Sequence, residues 1–239
     1  RDRSNINLRG LDNTSTLLLI NSKRTTNAGT PSTRGQGYVD TNLIPEIAIK
    51  QIQILKESAS PQYGSDAVAG VINVLTYKEF TGIRIKADYQ TTTNYDQDNV
   101  RLGLLYGANN KNSNFVVGFN ILSKTPLSAS EIPGIAELAI SGLGRSFKVS
   151  DADTVSDGVW KGVYSKNQKI PDPNCIVNGG KLTNPTTCGF LYGERFNIVN
   201  DEDHLKMYSN YIHNFDNYQY VITFISSNVD VNDNPQSPS

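Results

Sequence analysis

The stretch Gly82-Ile83-Arg84-Ile85-Lys86-Ala87-Asp88-Tyr89-Gln90 changes character at every residue. Ile83, Ile85, Ala87 and Tyr89 fall on one parity and Arg84, Lys86, Asp88 and Gln90 on the other, the two-residue period of a β-strand with unlike faces. The pattern returns in Val100, Leu102, Leu104 and Tyr106, and again in Phe115, Val117, Phe119 and Ile121, where Val116 and Leu122 soften the polar partner. Weaker versions follow in Leu205, Met207 and Tyr211, then in Tyr218, Tyr220, Ile222 and Phe224. The segments 82–90, 99–108, 113–122, 204–213 and 218–227 are nine or ten residues each. A tilted strand crosses a bilayer in roughly 9–11 residues.

The connections separate a membrane barrel from a soluble sandwich. Asn109-Asn110-Lys111-Asn112 and Asn214-Phe215-Asp216-Asn217 are four-residue turns of residues that tolerate left-handed backbone angles. The other two connections are 91–98 and the 81-residue stretch 123–203, far beyond the roughly 12–15 residues of an ordinary structureless loop. Short turns at one end and long loops at the other are the build of outer-membrane barrels. An Arg or Lys facing lipid at mid-bilayer costs roughly 2–4 kcal/mol, so Arg84, Lys86 and Asp88 are expected to face the lumen and Ile83, Ile85 and Tyr89 the lipid. Tyr218 and Tyr220, after a short turn, suit an interfacial aromatic girdle.

Composition excludes a helical membrane protein and by itself leaves a soluble β-rich protein and an outer-membrane barrel both open. Lys+Arg 22 against Asp+Glu 23 leaves a formal charge of −1, which gives no electrostatic case for nucleic acid. No apolar run approaches the roughly 18 residues of a spanning helix; Leu17 to Ile20 is a burst of four. The chain opens on Arg1 and its one Met is Met207, so it reads as an internal piece of a longer protein.

Residues 1–80 have another texture. Ile6-Asn7-Leu8, Leu17–Ile20, Ile52–Leu55 and Val71–Leu75 read as short strands, Pro45 opens a helical turn through Ile47 and Ala48, and Pro61 to Ala69 reads as a short helix or turn. The expectation is an α+β domain over 1–80 followed, over 81–239, by five antiparallel transmembrane β-barrel strands with a long extracellular loop at about 123–203. Five strands cannot close a barrel.

Three stretches of the first domain carry a family resemblance. Ile6-Asn7-Leu8-Arg9-Gly10-Leu11 with Thr16-Leu17-Leu18-Leu19-Ile20-Asn21-Ser22-Lys23-Arg24 resembles the "IRG…TLVLLNGRR" segment of TonB-dependent outer-membrane receptors. Ile44-Pro45-Glu46-Ile47-Ala48-Ile49-Lys50-Gln51-Ile52-Gln53-Ile54-Leu55-Lys56 is similar to their "IP…IERIEILK", and Ser60 to Thr76 to their "SxxYGSDAxxGVINIxT" plug signature. The motifs stand in the family's order over most of residues 5–80. Glu57-Ser58 and Asn21-Ser22 depart from its usual Gly-Pro and Asn-Gly, the second with consequences for turn geometry.

The resemblance implies the C-terminal part of a plug domain and the start of an incomplete barrel in the bacterial outer membrane. It implies energy-coupled uptake of a scarce ligand (a metal chelate, cobalamin, glycan or peptide), with TonB and its inner-membrane energising complex as partners through a region upstream of Arg1. It implies no enzyme and no cofactor. The loop Lys23–Asp40, with Arg24, Thr25, Asn27, Arg34, Gln36 and Tyr38, is where such receptors place a plug apex toward ligand; a plain surface loop is the alternative. Arg9, Gly10, Tyr63, Gly64, Ser65, Gly70 and Asn73 fall in the plug motifs and read as structural, with Arg9 and Tyr63 bonding plug to wall.

Cys175 and Cys188 are the only cysteines. In an extracytoplasmic loop they most simply form a disulfide, and closing a loop of this size is worth roughly 3 kcal/mol in the chain-entropy model. A metal site would need nearby His or two more Cys; free thiols are the remaining alternative. Asp151-Ala152-Asp153 and Asp230-Val231-Asn232-Asp233-Asn234 carry a competing reading, a calcium-dependent adhesin or surface glycan-binding β-protein, since carboxylates and amide oxygens suit a hard cation. An Asn/Asp-rich solvated loop accounts for them better. Two His with no zinc-binding helix motif, nucleophile elbow or phosphate loop make no catalytic site.

Overall fold

The computed structural model describes residues 4–11, 14–27, 37–57, 60–141, 146–149, 163–185 and 187–232. Four strands make the first sheet: β1 (Thr16–Ile20), β2 (Lys23–Arg24), β3 (Ile49–Leu55) and β4 (Gly70–Thr76), in the order β2-β1-β4-β3. β1 runs parallel to β4, with Leu18 opposite Ile72, and the other pairings are antiparallel. Leu17, Leu19, Ala67 and Val71 bury on one face, and Leu18, Ile44, Ile72 and Val74 on the other. β1 and β4 therefore lack strict alternation: they are covered on both faces.

The Asn21-Ser22 departure leaves the turn intact. Both residues adopt left-handed angles, φ 51° and 64°, as the mirror-image two-residue hairpin requires. Ser22, where glycine is usual, is held there by side chains: its N–H donates to Asn73 Oδ1 (2.8 Å), and Asn73 Nδ2 donates to Ser22 Oγ (3.1 Å). Asn21 Oδ1 accepts from the Thr76 N–H at 3.0 Å. Ile6-Asn7-Leu8 is not a strand. The chain turns at Leu8–Gly10 as a 3-10 element with Arg9 at φ 60°, an angle no strand ladder accommodates.

A larger sheet follows, built from β5 (Gly82–Thr91), β6 (Asp98–Asn109) and β7 (Ser113–Lys124). The described residues of 126–200 then hold seven short strands: β8 (Leu127–Ser128), β9 (Ile140–Ser141), β10 (Ser146–Lys148), β11 (Lys169–Pro171), β12 (Gly180–Asn184), β13 (Thr187–Leu191) and β14 (Asn197–Val199). The large sheet resumes with β15 (Asp201–Asn214) and β16 (Gln219–Asn232). Its order is β16-β15-β7-β6-β5, all antiparallel between neighbours described. It does not close, since β5 and β16 each pair on one side. The five strands lie where alternation places them and run longer at their ends.

Register turns the alternation into two faces. Ile85, Leu104, Phe119 and Met207 lie abreast on the outer face, and Ala87, Leu102, Ile121 and Leu205 form the next row. Exposure on the outer face reaches 73% at Ile85, and no other described element covers these apolar rows. Abreast on the inner face lie Arg84, Leu105, Gly118 and Tyr208, and then Lys86, Gly103, Asn120 and Lys206. Arg84, Lys86 and Asp88 lie on the face against which the first domain packs, beside Glu46 and Ile47. Near the short turns, His213 meets Phe215 edge-on and Phe215 stacks on Tyr218, both at 4.3 Å between ring centres.

Compactness divides the chain differently from the change of pattern near residue 81. Arg1–Thr125 with Asp201–Val231 is one unit, because the first domain packs on the inner face of the large sheet; Pro126–Asn200 with Asn232–Ser239 is the other. The second unit has its own small sheets and buries Cys175 and Cys188, which are joined as a disulfide. The alternation signal missed its strands because they are two to five residues long.

Candidate functional site: a polar cleft and the seat of the first domain on the large sheet

The seat is a shallow niche in the inner face. The 3-10 turn Glu46–Ala48, opened by Pro45, inserts Ile47 where two strands carry glycine. A Cβ on Gly103 or Gly118 would lie 3.3 Å from Ile47 side-chain atoms, tighter than ordinary contact. The Ile47 N–H donates to Asn120 Oδ1 at 2.9 Å. Ile47 and Ala48 bury against Leu105, Val116 and Tyr208, so this part of the wall is apolar rather than cationic. Of Arg84 and Lys86, the two cations singled out by sequence on this face, Arg84 is the one hydrogen-bonded to the first domain's exit segment among the described residues. Its Nη1 donates to Tyr77 Oη at 2.8 Å, and its guanidinium lies about 5 Å from the Tyr77 and Phe80 ring centres.

Tyr208 makes the second fastening. Its hydroxyl donates to the Tyr77 carbonyl (2.7 Å) and lies 2.9 Å from Thr76 Oγ1, which in turn accepts from Asn21 Nδ2 at 2.8 Å. Asn210 Nδ2 reaches the Lys78 carbonyl at 3.4 Å, and Ser227 Oγ donates to the Asn42 carbonyl at 3.3 Å. Sequence reading passed over Tyr208 and Asn210 because it followed the apolar parity of β15; the opposite parity of Lys206, Tyr208 and Asn210 was the available signal.

The apex residues gather at the other end of β1 and β2. A cleft of about 420 Å³ is lined by Arg24, Thr25, Asn27 and Tyr38 together with Thr14, Thr16, Leu17, Leu18 and Asp66. Arg34 and Gln36 lie outside the described residues. Gly37 leaves room for the Asn27 amide beside the backbone, since a Cβ there would meet it. Tyr38 is 4% exposed, and its hydroxyl and that of Thr25 are shielded from solvent without a hydrogen-bond partner among the described residues. An orphaned buried hydroxyl costs roughly 1–3 kcal/mol, and such groups concentrate where a ligand or water completes the site. Arg24 Nη1 meets Asp66 Oδ2 at 2.6 Å, and its Nη2 donates to the Tyr63 carbonyl.

The motif residues divide by place. Asn73 bridges Ser22 and Gln53. Gly70, at φ 141°, passes so close to the Leu55 carbonyl that no side chain fits. Gly64, at φ 84°, turns the chain between helix α1 (Ser60–Tyr63) and the 3-10 turn Ser65–Ala67. Tyr63, expected against the wall, packs on the Leu17/Leu19 core. Arg9 makes no hydrogen bond or ion pair with the large sheet among the described residues, and Gly10 follows it at φ 68°. The described residues hold no group of three or more His, Cys, Asp or Glu able to bind a metal ion; Asp151 and Asp153 lie outside them, and Asp230 to Asn232 finish β16.

The profile of the TonB-dependent receptor plug domain matches residues 1–71. The iron-regulated outer membrane virulence protein of Vibrio cholerae serotype O1 is 39% identical over 79 residues in two strains, covering 33% of this chain and 12% of that protein. A solved structure of a point mutant of the ferric enterobactin receptor PfeA of Pseudomonas aeruginosa, in complex with enterobactin, aligns over 89% of this chain and 33% of its own, with 14% identity and a TM-score of 0.41. The siderophore receptor PirA of Acinetobacter baumannii aligns over 92% and 33%, with 14% identity and a TM-score of 0.40. The chain thus spans a small part of the relatives it matches.

Proposed function

We propose that this chain, part of a TonB-dependent receptor of the bacterial outer membrane, serves energy-coupled uptake of a scarce ligand. The family is one of receptors, not enzymes. In this reading the 1–80 domain is the C-terminal part of the plug, and the sheet from residue 82 onward is the start of the barrel wall. Ligand meets the cleft formed by Arg24, Thr25, Asn27 and Tyr38. TonB and the inner-membrane energising complex act on the plug through a segment upstream of Arg1.

A single relationship carries the proposal: one sheet presents an apolar outer face while the first domain, with its own four-stranded sheet, packs on its inner face. A wall between lipid and a filled lumen has those two requirements. The ligand we favour is a ferric chelate, because the V. cholerae relative with 39% identity is described as iron-regulated. The orphaned hydroxyls of Thr25 and Tyr38 support a hydrogen-bonding ligand at the apex.

The test is uptake by cells carrying the whole receptor and starved of iron. Accumulation of a radiolabelled ferric chelate that needs both the receptor and the energising complex is the expected result. Receptor-dependent accumulation of cobalamin or an oligosaccharide, with none of iron, replaces the ligand and keeps the transport. No energy-dependent accumulation of any of them contradicts the proposal.

A further inference from the structure

Arg24 has more than one possible use. From β2 its guanidinium reaches a segment some forty residues away, with Nη1 on Asp66 Oδ2 and Nη2 on the Tyr63 carbonyl. That segment is shaped for the purpose. The left-handed angle at Gly64 lets the end of α1 and the start of the next turn offer a carbonyl and a carboxylate to one planar cation. Ser65 Oγ, 3.4 Å away, touches the other carboxylate oxygen.

Among the described residues, Arg24 and Asp66 are also the charged side chains that line the apex cleft; Thr14, Thr16, Thr25, Thr26 and Asn27 supply uncharged polar groups. Both members of the pair are 53% exposed. An ion pair so exposed shifts an equilibrium by a factor of about five or less, so a better anion can exchange with it. An arginine with two N–H groups engaged keeps three more for a second acceptor.

We infer that Arg24 and Asp66 form a charge-selective clamp on this cleft. An anionic group of the ligand takes the guanidinium, and the same negative charge repels the Asp66 carboxylate. Residues 60–67 then separate from β2, and occupancy of the apex reaches the segment that leads into β4. The ligand is therefore one that presents anionic oxygens. The inference rests on the cleft being the ligand site proposed above.

Hydrogen exchange on the whole receptor in detergent tests it. Arg24→Gln and Asp66→Asn are each expected to speed amide exchange in residues 60–67 about three- to fivefold and to leave Gly70–Thr76 at wild-type rates. Unchanged exchange in both variants overturns the clamp. In the unaltered receptor a trianionic ferric tris-catecholate is expected to produce the same acceleration, and an uncharged ferric tris-hydroxamate of similar size is not. Asp66→Asn is expected to bind the tris-catecholate about three- to fivefold more tightly. Equal tightening for both chelates, or tris-catecholate binding that leaves 60–67 unchanged, overturns the charge selection. If neither chelate binds, the ferric-chelate reading fails, and pyrophosphate decides the charge selection in the same exchange experiment.

Discussion

Thr76 Oγ1 and Tyr208 Oη lie 2.9 Å apart, both residues buried, 132 positions apart in sequence. The pair joins the last strand of the plug to the inner face of the wall, and the Tyr208 proton goes to the next carbonyl, that of Tyr77. Asn21 extends the chain of hydrogen bonds back to the plug's first hairpin. Tyr208→Phe keeps the ring and its packing and removes the link. It is expected to lower plug stability by about 1–3 kcal/mol, the cost of leaving buried partners unpaired, read as a fall in the denaturant midpoint of the plug within the whole receptor.

The niche for Ile47 can be probed from both sides. Ile47→Ala is expected to cost about 2–4 kcal/mol through the cavity it leaves. Gly118→Val is expected to cost about 1–3 kcal/mol by overpacking the same niche. Protease sensitivity of residues 40–56 should rise in each variant, and the double variant should recover part of the loss.

Ser22 and Asn73 make a matched pair. Ser22→Gly relieves the left-handed strain and loses one side-chain bond, while the Ser22 N–H bond to Asn73 Oδ1 remains. Its net effect is expected to lie within about 0.5 kcal/mol of zero, from opposed contributions of about 1 kcal/mol each. Asn73→Ala removes the hub and is expected to cost about 1–3 kcal/mol. Thermal melts of the receptor distinguish the two.

The disulfide braces the second unit alone. Cys175→Ser with Cys188→Ser is expected to destabilise residues 163–199 by about 3 kcal/mol, seen as faster proteolysis there. Hydrogen exchange of β1 and β4 should stay unchanged.

The sequence was legible where one physical demand dominated. In β5, β6 and β7 the two faces of the sheet meet different surroundings, an uncovered apolar side and a side packed on the first domain, so strand positions and facing follow from the alternation of residues such as Ile85 and Lys86. The plug strands were legible as apolar bursts and motifs, not by parity, because β1 and β4 bury both faces. At Ile6–Leu8 the apolar spacing misled: the positive φ of Arg9 belongs to a turn that hydropathy does not register. The apex residues Arg24, Thr25, Asn27 and Tyr38 were readable as a polar loop, but Asp66 joins them only through the Gly64 turn. The Ile47 niche was not legible, since Gly103 and Gly118 in a strand look like weakness until the turn that fills them is seen.

The central claim is that one sheet separates lipid from plug, and neighbouring residues on β6 test it directly. Leu104 and Leu105 point to opposite faces, 40% and 0% exposed. A single environment-sensitive fluorophore is attached at each position in turn, through an introduced cysteine, in the whole receptor reconstituted in vesicles with brominated lipid. Strong quenching at 104 and little at 105 is the predicted result. Equal quenching at both positions, or quenching at 104 by a water-soluble agent alone, would contradict it.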